Sequence, residues 1–131
     1  FASFCGNRHM KKSTVRTIFS IDLVERDGEI EILYCGNGFL QNMVRILTGT
    51  LIEVGRGERA PESMPALLKA KERKQAGYTA PPQGLRLEKV TYVVGHKYCH
   101  FLCFCPRNLI DSGNTVITGQ NCIHTIFFRL L

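Results

Sequence analysis

The sequence predicts an α+β domain in which a mixed or antiparallel sheet carries helices packed on one face. Two segments that alternate apolar and polar residues flank an Asp-Gly dipeptide, two segments with helical spacing follow, and another alternating segment begins at Leu85. The resulting order, β-β-α-α-β, is typical of α+β domains. A chain of 131 residues is long enough to bury one core of this kind.

The first two strands form a predicted hairpin over residues 17–36. Asp27 and Gly28 supply a two-residue turn, because the positive φ values of such a turn suit this dipeptide. Pairing outward from the turn sets Leu23 opposite Ile32, and the period-2 alternation continues on both sides.

The first helix is predicted over residues 39–54, where apolar residues recur at steps of three and four. Asn37 is the predicted N-cap, and the glycines of segment 55–57 end the helix. Arg45 and Gly49 lie on the polar stripe. Because glycine weakens a helix by about 1 kcal/mol relative to alanine, Gly49 indicates a close approach to the helix backbone.

The second helix is predicted over residues 63–76, with Pro61 or Pro65 in its first turn and Gly77 after its last residue. A proline-rich loop follows. Alternation then predicts a strand over residues 85–92.

The overall charge and the cysteine placement limit the class of protein. Lys and Arg outnumber Asp and Glu by 17 to 11, which favours a polyanionic partner such as nucleic acid. The six cysteines are unevenly spread and the first residues lack a secretory signal pattern, which predicts reduced thiols and a cytoplasmic protein. No stretch is apolar enough to predict a membrane span. The start at Phe1, within an apolar stretch, predicts a piece of a longer protein.

The composition changes after about Val93, which predicts a boundary between residues 1–93 and a tail of residues 94–131. The tail is interpreted either as a lineage-specific extension or as translated sequence beyond a lost reading frame. Its cysteines and histidines invite a zinc interpretation: His96, Cys99, His100, Cys103, Cys105, Cys122 and His124. The spacing of Cys103 and Cys105 is too short for a typical zinc pair, so no metal site is predicted.

Three ordered segments resemble one known family. They are Gly38-Phe39-Leu40-Gln41-Asn42-Met43-Val44-Arg45 with the nearby Gly49-Thr50-Leu51, then Ala76-Gly77-Tyr78-Thr79-Ala80-Pro81-Pro82-Gln83-Gly84-Leu85-Arg86-Leu87, and Phe1-Ala2-Ser3-Phe4. The last resembles the end of an Asp-Phe-x-x-Phe segment without its Asp. Residues 1–92 are therefore similar to the carboxy-terminal part of the TruA family of tRNA pseudouridine synthases.

The resemblance implies an enzyme that isomerises uridine to pseudouridine in the tRNA anticodon stem-loop, without cofactor or metal, as a homodimer. The catalytic Asp of the family lies in a Gly-Arg-Thr-Asp-type motif in the amino-terminal half. This sequence contains no such motif, and Asp22, Asp27 and Asp111 do not match it. The resemblance therefore implies that this chain is inactive alone and that its partners are tRNA and the missing amino-terminal half.

Arg45 is the predicted catalytic-site residue, because by its place in the motif it resembles the arginine that supports the catalytic Asp. A guanidinium on a largely buried helix also needs an anionic partner. Leu85 and Leu87 match the family strand that lines the uracil pocket. Two groups of basic residues are predicted to contact tRNA phosphates, namely Arg8, Lys11, Lys12 and Arg16, and then Arg56 and Arg59.

Two other interpretations stay open at this point. The chain is alternatively a non-catalytic module for tRNA binding or dimerisation, which its positive charge and missing Asp favour. A small metal-binding domain in the tail is the second alternative.

Overall fold

The computed structural model describes residues 1–7, 9–94, 97–101 and 122–130. The chain divides into two compact units. The helical unit comprises Phe1–Arg16 and Phe39–Gln83, and the sheet unit comprises Thr17–Gly38 and Gly84–Leu131. Within these described ranges, two α-helices and five strands confirm the predicted α+β class.

The sheet unit contains one antiparallel sheet with the strand order β1-β2-β5-β3-β4. Its strands are β1 (Ile18–Arg26), β2 (Glu29–Gly36), β3 (Leu85–Val94), β4 (Lys97–Phe101) and β5 (Cys122–Leu130). All four neighbouring pairs run antiparallel.

The predicted hairpin is confirmed in both turn and register. Asp27 and Gly28 have φ values of 52° and 78°, the left-handed conformations that a tight hairpin turn requires. Leu23 lies opposite Ile32, as the pairing outward from the turn predicts.

One face of the sheet is apolar, because residues directly opposite each other in an antiparallel ladder point to the same side. Ile32 pairs with Phe128, which also pairs with Leu85, and Ile126 pairs with Leu87. Ile32 and Phe128 are buried. Leu85 and Leu87 therefore lie on the same face as two residues of the core.

β4 and β5 lie beyond residue 93, in the segment that the sequence sets apart as a tail. β5 pairs with β2 on one side and with β3 on the other. Strands from both sides of the predicted boundary therefore belong to one sheet.

The first helix, α1, spans Met43–Gly55, so the predicted start at residue 39 and the predicted N-cap at Asn37 are wrong. Asn42 adopts a left-handed conformation with φ of 58°, and a helix cannot pass through such a residue. The Asn37 side chain instead accepts a hydrogen bond from the Thr17 backbone N–H at 2.9 Å.

The second helix, α2, spans Ser63–Ala70 and is six residues shorter than predicted. Lys71 ends it in a left-handed conformation with φ of 54°. Arg73–Gln75 then form a short 3-10 helix. Three basic residues of the predicted helix, Lys71, Arg73 and Lys74, therefore lie in the segment that follows α2.

The helical unit is organised around α1. Met43, Ile46 and Thr50 are fully buried on this helix. The Ser3 hydroxyl donates a hydrogen bond to the Leu67 carbonyl at 2.6 Å, so the first residues are joined to α2. Within the described part of the chain, neither helix has the length and apolar content needed to cross a membrane.

Candidate functional site

Arg45 is joined to the loop that precedes β3 by a reciprocal pair of contacts. Its Nε donates a hydrogen bond to the Ala80 carbonyl at 2.7 Å, and the Ala80 N–H donates to the Arg45 carbonyl at 3.0 Å. Its Nη1 donates to Asn42 Oδ1 at 3.1 Å. Two hydrogen bonds therefore orient this half-buried guanidinium, and a backbone hydrogen bond also joins Arg45 to Ala80.

The acceptors that hold Arg45 are neutral. Within the described residues, no carboxylate forms an ion pair with Arg45, and its Nη2 has no hydrogen-bond partner. A half-buried positive charge without a negative partner is costly, and a guanidinium binds carboxylate or phosphate through parallel N–H groups. The arrangement is therefore suited to receive an anion.

Asn42 is a site residue that the sequence analysis did not single out. Its carbonyl accepts the N–H of Ile46 at 2.9 Å, which is the first bond of the helix, while its side chain binds Arg45. Asparagine tolerates the left-handed conformation better than most residues. This preference is the signal in the sequence that could have identified Asn42 as the start of the helix. The same residue therefore starts α1 and orients the arginine.

The loop of residues 76–80 lies against α1 one turn beyond Arg45. A Cβ added at Gly49 would overlap the Tyr78 carbonyl oxygen, which confirms the close approach predicted from this glycine. The Gly77 N–H donates to Thr50 Oγ1 at 3.0 Å. Helix and loop are thus in backbone contact along one stripe of α1.

Charged side chains brace the same loop from two directions. Glu53 Oε1 accepts the Tyr78 N–H at 3.2 Å, while its Oε2 pairs with Arg59 at 2.9 Å. Arg73 donates to the Gly77 carbonyl at 2.9 Å and to Thr79 Oγ1 at 3.0 Å. Because the helical spacing of residues 63–76 predicts a helix that includes Arg73, this role of Arg73 was not predictable from the sequence.

The predicted RNA-contacting residues occupy different environments. Lys11, Lys12 and Arg56 are exposed, and Arg56 lies 4.0 Å from the Glu58 carboxylate. Arg59 pairs with Glu53, so its charge is already compensated within the unit. Arg16 is half-buried and donates hydrogen bonds to the carbonyls of Ser13 and Val15. Arg8 lies outside the described residues.

A cavity of about 360 Å³ in the helical unit lies between the amino-terminal segment and residues 71–74. Asn7 and Cys5 line one side, and Lys71 and Lys74 line the other. Arg73 also lines the cavity, so three positive charges and the negative charge of Glu72 border it.

Leu85 and Leu87 belong to the sheet unit, whereas Arg45 belongs to the helical unit. Leu85 and Leu87 are 38% and 39% exposed, so each residue leaves apolar surface available for a contact. The zinc interpretation falls on tail residues whose side chains lie outside the described part of the structure.

Comparison with known proteins defines the class of protein. A family model described as tRNA pseudouridine synthase matches residues 1–93. The chain therefore belongs to the tRNA pseudouridine synthase family, and the resemblance to TruA enzymes is confirmed. No solved structure shows significant similarity to the chain.

The curated relatives specify the branch of this family. A Bacillus cereus protein named tRNA pseudouridine synthase A 1 is 50% identical over 92 residues, which cover 70% of this chain and 37% of that protein. Proteins named tRNA pseudouridine synthase A from Geobacillus and Listeria monocytogenes are 49% and 51% identical, over 37% and 38% of their lengths. The chain thus spans little more than a third of the relatives it matches.

Proposed function

We propose that this chain is the carboxy-terminal part of a cytoplasmic enzyme that isomerises uridine to pseudouridine in the anticodon stem-loop of tRNA. The observation that carries the proposal is Arg45, whose guanidinium is held by neutral acceptors and lacks a carboxylate partner among the described residues. The catalytic carboxylate would come from the amino-terminal half, which carries the Gly-Arg-Thr-Asp-type motif in the family. The chain alone is expected to be inactive.

The chemistry explains why such an arginine is needed. The reaction breaks the bond between the sugar and N1 of uracil, and the freed base rotates and rejoins through C5. C5 loses its proton in this step and N1 gains one, so the product is an isomer of uridine. The carboxylate acts as a nucleophile or assists bond cleavage in another way. Arg45 would hold this carboxylate ionised and oriented, because a nearby positive charge favours its charged form. No cofactor or metal enters this scheme.

Substrate binding in the proposed enzyme has two components. Leu85 and Leu87 would line the uracil pocket with the apolar surface that they leave exposed. The exposed Lys11, Lys12 and Arg56 would neutralise tRNA phosphates, which position the RNA without reading its sequence. The whole enzyme would act as a homodimer, as the family resemblance implies.

The test mixes this chain with a separately expressed amino-terminal half that carries the Gly-Arg-Thr-Asp motif, and measures uridine isomerisation in tRNA. Activity is expected only with both pieces. Arg45→Ala is expected to lower it by about 100- to 1,000-fold, the range found when one preorganised electrostatic contact is removed. Arg26→Ala serves as the control, because this arginine is exposed next to the hairpin turn.

Unchanged activity in Arg45→Ala would exclude the proposed role of this residue. An inactive mixture in which the chain still binds tRNA in a salt-dependent way would favour the second candidate, a non-catalytic tRNA-binding or dimerisation module. That candidate is supported by the absence of a Gly-Arg-Thr-Asp motif from the sequence.

A further inference from the structure

Tyr78 combines an exposed side chain with an immobilised backbone. The residue is 44% exposed. Its N–H donates to Glu53 Oε1 at 3.2 Å, and its carbonyl lies against Gly49 of α1. Its neighbours Gly77 and Thr79 are held by Thr50 and Arg73: the Gly77 N–H donates to Thr50 Oγ1 and the Thr79 hydroxyl accepts from Arg73.

The ring contributes nothing to these internal contacts. Within the described part of the chain, the Tyr78 hydroxyl forms no hydrogen bond and its ring pairs with no other aromatic ring. A large apolar ring on a flexible surface loop would lose conformational freedom whenever a ligand bound it. Here the backbone is already ordered, so only the two side-chain torsions remain to be restricted.

The position of Tyr78 places this ring close to Arg45. Ala80, whose carbonyl binds Arg45 Nε, is two residues further along the chain, a span of at most about 7 Å. Gly49, which faces the Tyr78 carbonyl, is one helical turn beyond Arg45, a rise of about 6 Å. The backbone that carries the Tyr78 ring is therefore within about 7 Å of the loop residue that binds Arg45, beside the same stripe of α1.

We propose that Tyr78 is a stacking surface for an unpaired base of the bound RNA, adjacent to the nucleotide that engages the Arg45 site. This inference rests on the proposed function. Single-stranded bases stack on aromatic side chains, and each such contact contributes about 1–3 kcal/mol to binding. Stacking does not depend on the identity of the base, so Tyr78 would hold the unpaired strand without selecting a sequence.

The experiment measures binding of the 131-residue chain to an anticodon stem-loop RNA and to a fully paired RNA duplex of equal length. Tyr78→Phe retains the ring, whereas Tyr78→Leu and Tyr78→Ala remove it. Leu68→Ala is the matched control, because Leu68 is a similarly exposed apolar residue of the helical unit on α2. Circular dichroism melting of each variant checks that the fold is retained.

Tyr78→Leu and Tyr78→Ala are expected to weaken stem-loop binding by about 5- to 150-fold, the equivalent of one lost stacking contact. Tyr78→Phe and Leu68→Ala are expected to bind within about twofold of the wild type. Duplex binding and the salt dependence should stay unchanged in all variants, because no phosphate contact is removed.

Wild-type affinity of Tyr78→Leu for the stem-loop would overturn this inference and leave the proposed function intact. An equal loss of affinity for stem-loop and duplex would also overturn it, since a paired helix offers no free base for stacking. If the wild-type chain binds neither RNA, the proposed role of this chain in tRNA binding fails together with the inference.

Discussion

Contacts in the helical unit fix the backbone conformation of Asn42 and the orientation of the Arg45 guanidinium. Asn42 tolerates a positive φ, begins α1 and accepts a hydrogen bond from Arg45. Arg45 meets neutral acceptors on two of its three nitrogens. The guanidinium is therefore oriented without being neutralised, which is the condition for binding an anion supplied from elsewhere.

At the residue scale, replacing glycine by alanine at two positions of α1 is expected to have opposite effects on stability. A methyl group at Gly49 would overlap the Tyr78 carbonyl, whereas a Cβ at Gly55 meets nothing within 4 Å. Overpacking costs about 1–3 kcal/mol, and alanine is favoured over glycine in a helix by about 1 kcal/mol. We expect Gly49→Ala to lower the melting temperature and Gly55→Ala to raise it, as measured by scanning calorimetry. A higher melting temperature in Gly49→Ala would contradict the tight contact.

At the element scale, the loop of residues 76–80 depends on α1 for its conformation. Side chains or backbone of Arg45, Gly49, Thr50 and Glu53 each contact this loop. Arg45, Gly49 and Glu53 recur at steps of four, and Thr50 is next to Gly49, so the four residues form one stripe along the helix. The loop therefore adopts its structure only when this stripe is formed.

Substitutions of two glutamates in the helical unit test whether the loop of residues 76–80 depends on α1. Glu53 binds both the Tyr78 N–H and Arg59, and its side chain is 18% exposed. Among the described residues, the Glu58 side chain forms a long, exposed pair with Arg56 and no shorter ion pair. Glu53→Ala is expected to lower the free energy of unfolding by about 1–3 kcal/mol, and Glu58→Ala by less than about 0.5 kcal/mol.

Urea unfolding of the two glutamate variants measures this difference. In addition, limited proteolysis should cleave the loop of residues 76–80 faster in Glu53→Ala than in Glu58→Ala. Equal stability of the two variants would show that Glu53 does not brace the loop.

At the scale of the whole molecule, the net charge of +6 favours association with RNA. The structure distinguishes basic side chains that are exposed from basic side chains that already pair with a carboxylate. Lys11 and Lys12 are exposed, whereas Arg59 is paired with Glu53. Lys11 and Lys12 are therefore expected to account for more of the salt dependence of RNA binding than Arg59.

Salt-dependent tRNA binding tests this expectation. Because each phosphate contact adds about 0.7–0.9 to the slope of log affinity against log salt, Lys11→Ala combined with Lys12→Ala should reduce the slope by up to about 1.8. Arg59→Ala should change it less. Lys69→Ala, at an exposed position on α2, is the control for general charge loss. An unchanged slope in the double variant would remove these lysines from the RNA contact.

Local signals in the sequence determined the hairpin, the strand at residue 85, the end of α1 and the membership of the family. Each of these follows from neighbouring residues: the Asp-Gly turn sets the register, alternation sets the faces, and glycines end the helix. The close approach at Gly49 was also predictable, because a glycine inside a helix is costly without such a reason.

Only the tertiary structure decided where the helices begin and end and what Arg45 contacts. The left-handed conformation of Asn42 sets the start of α1 and that of Lys71 sets the end of α2, yet both residues also tolerate a helix, so their sequence context permits either. Ala80 lies 35 residues from Arg45, and β5 enters the sheet between two strands that precede it by many residues. Contacts of this range depend on how the whole chain packs, and a local pattern carries no information about them.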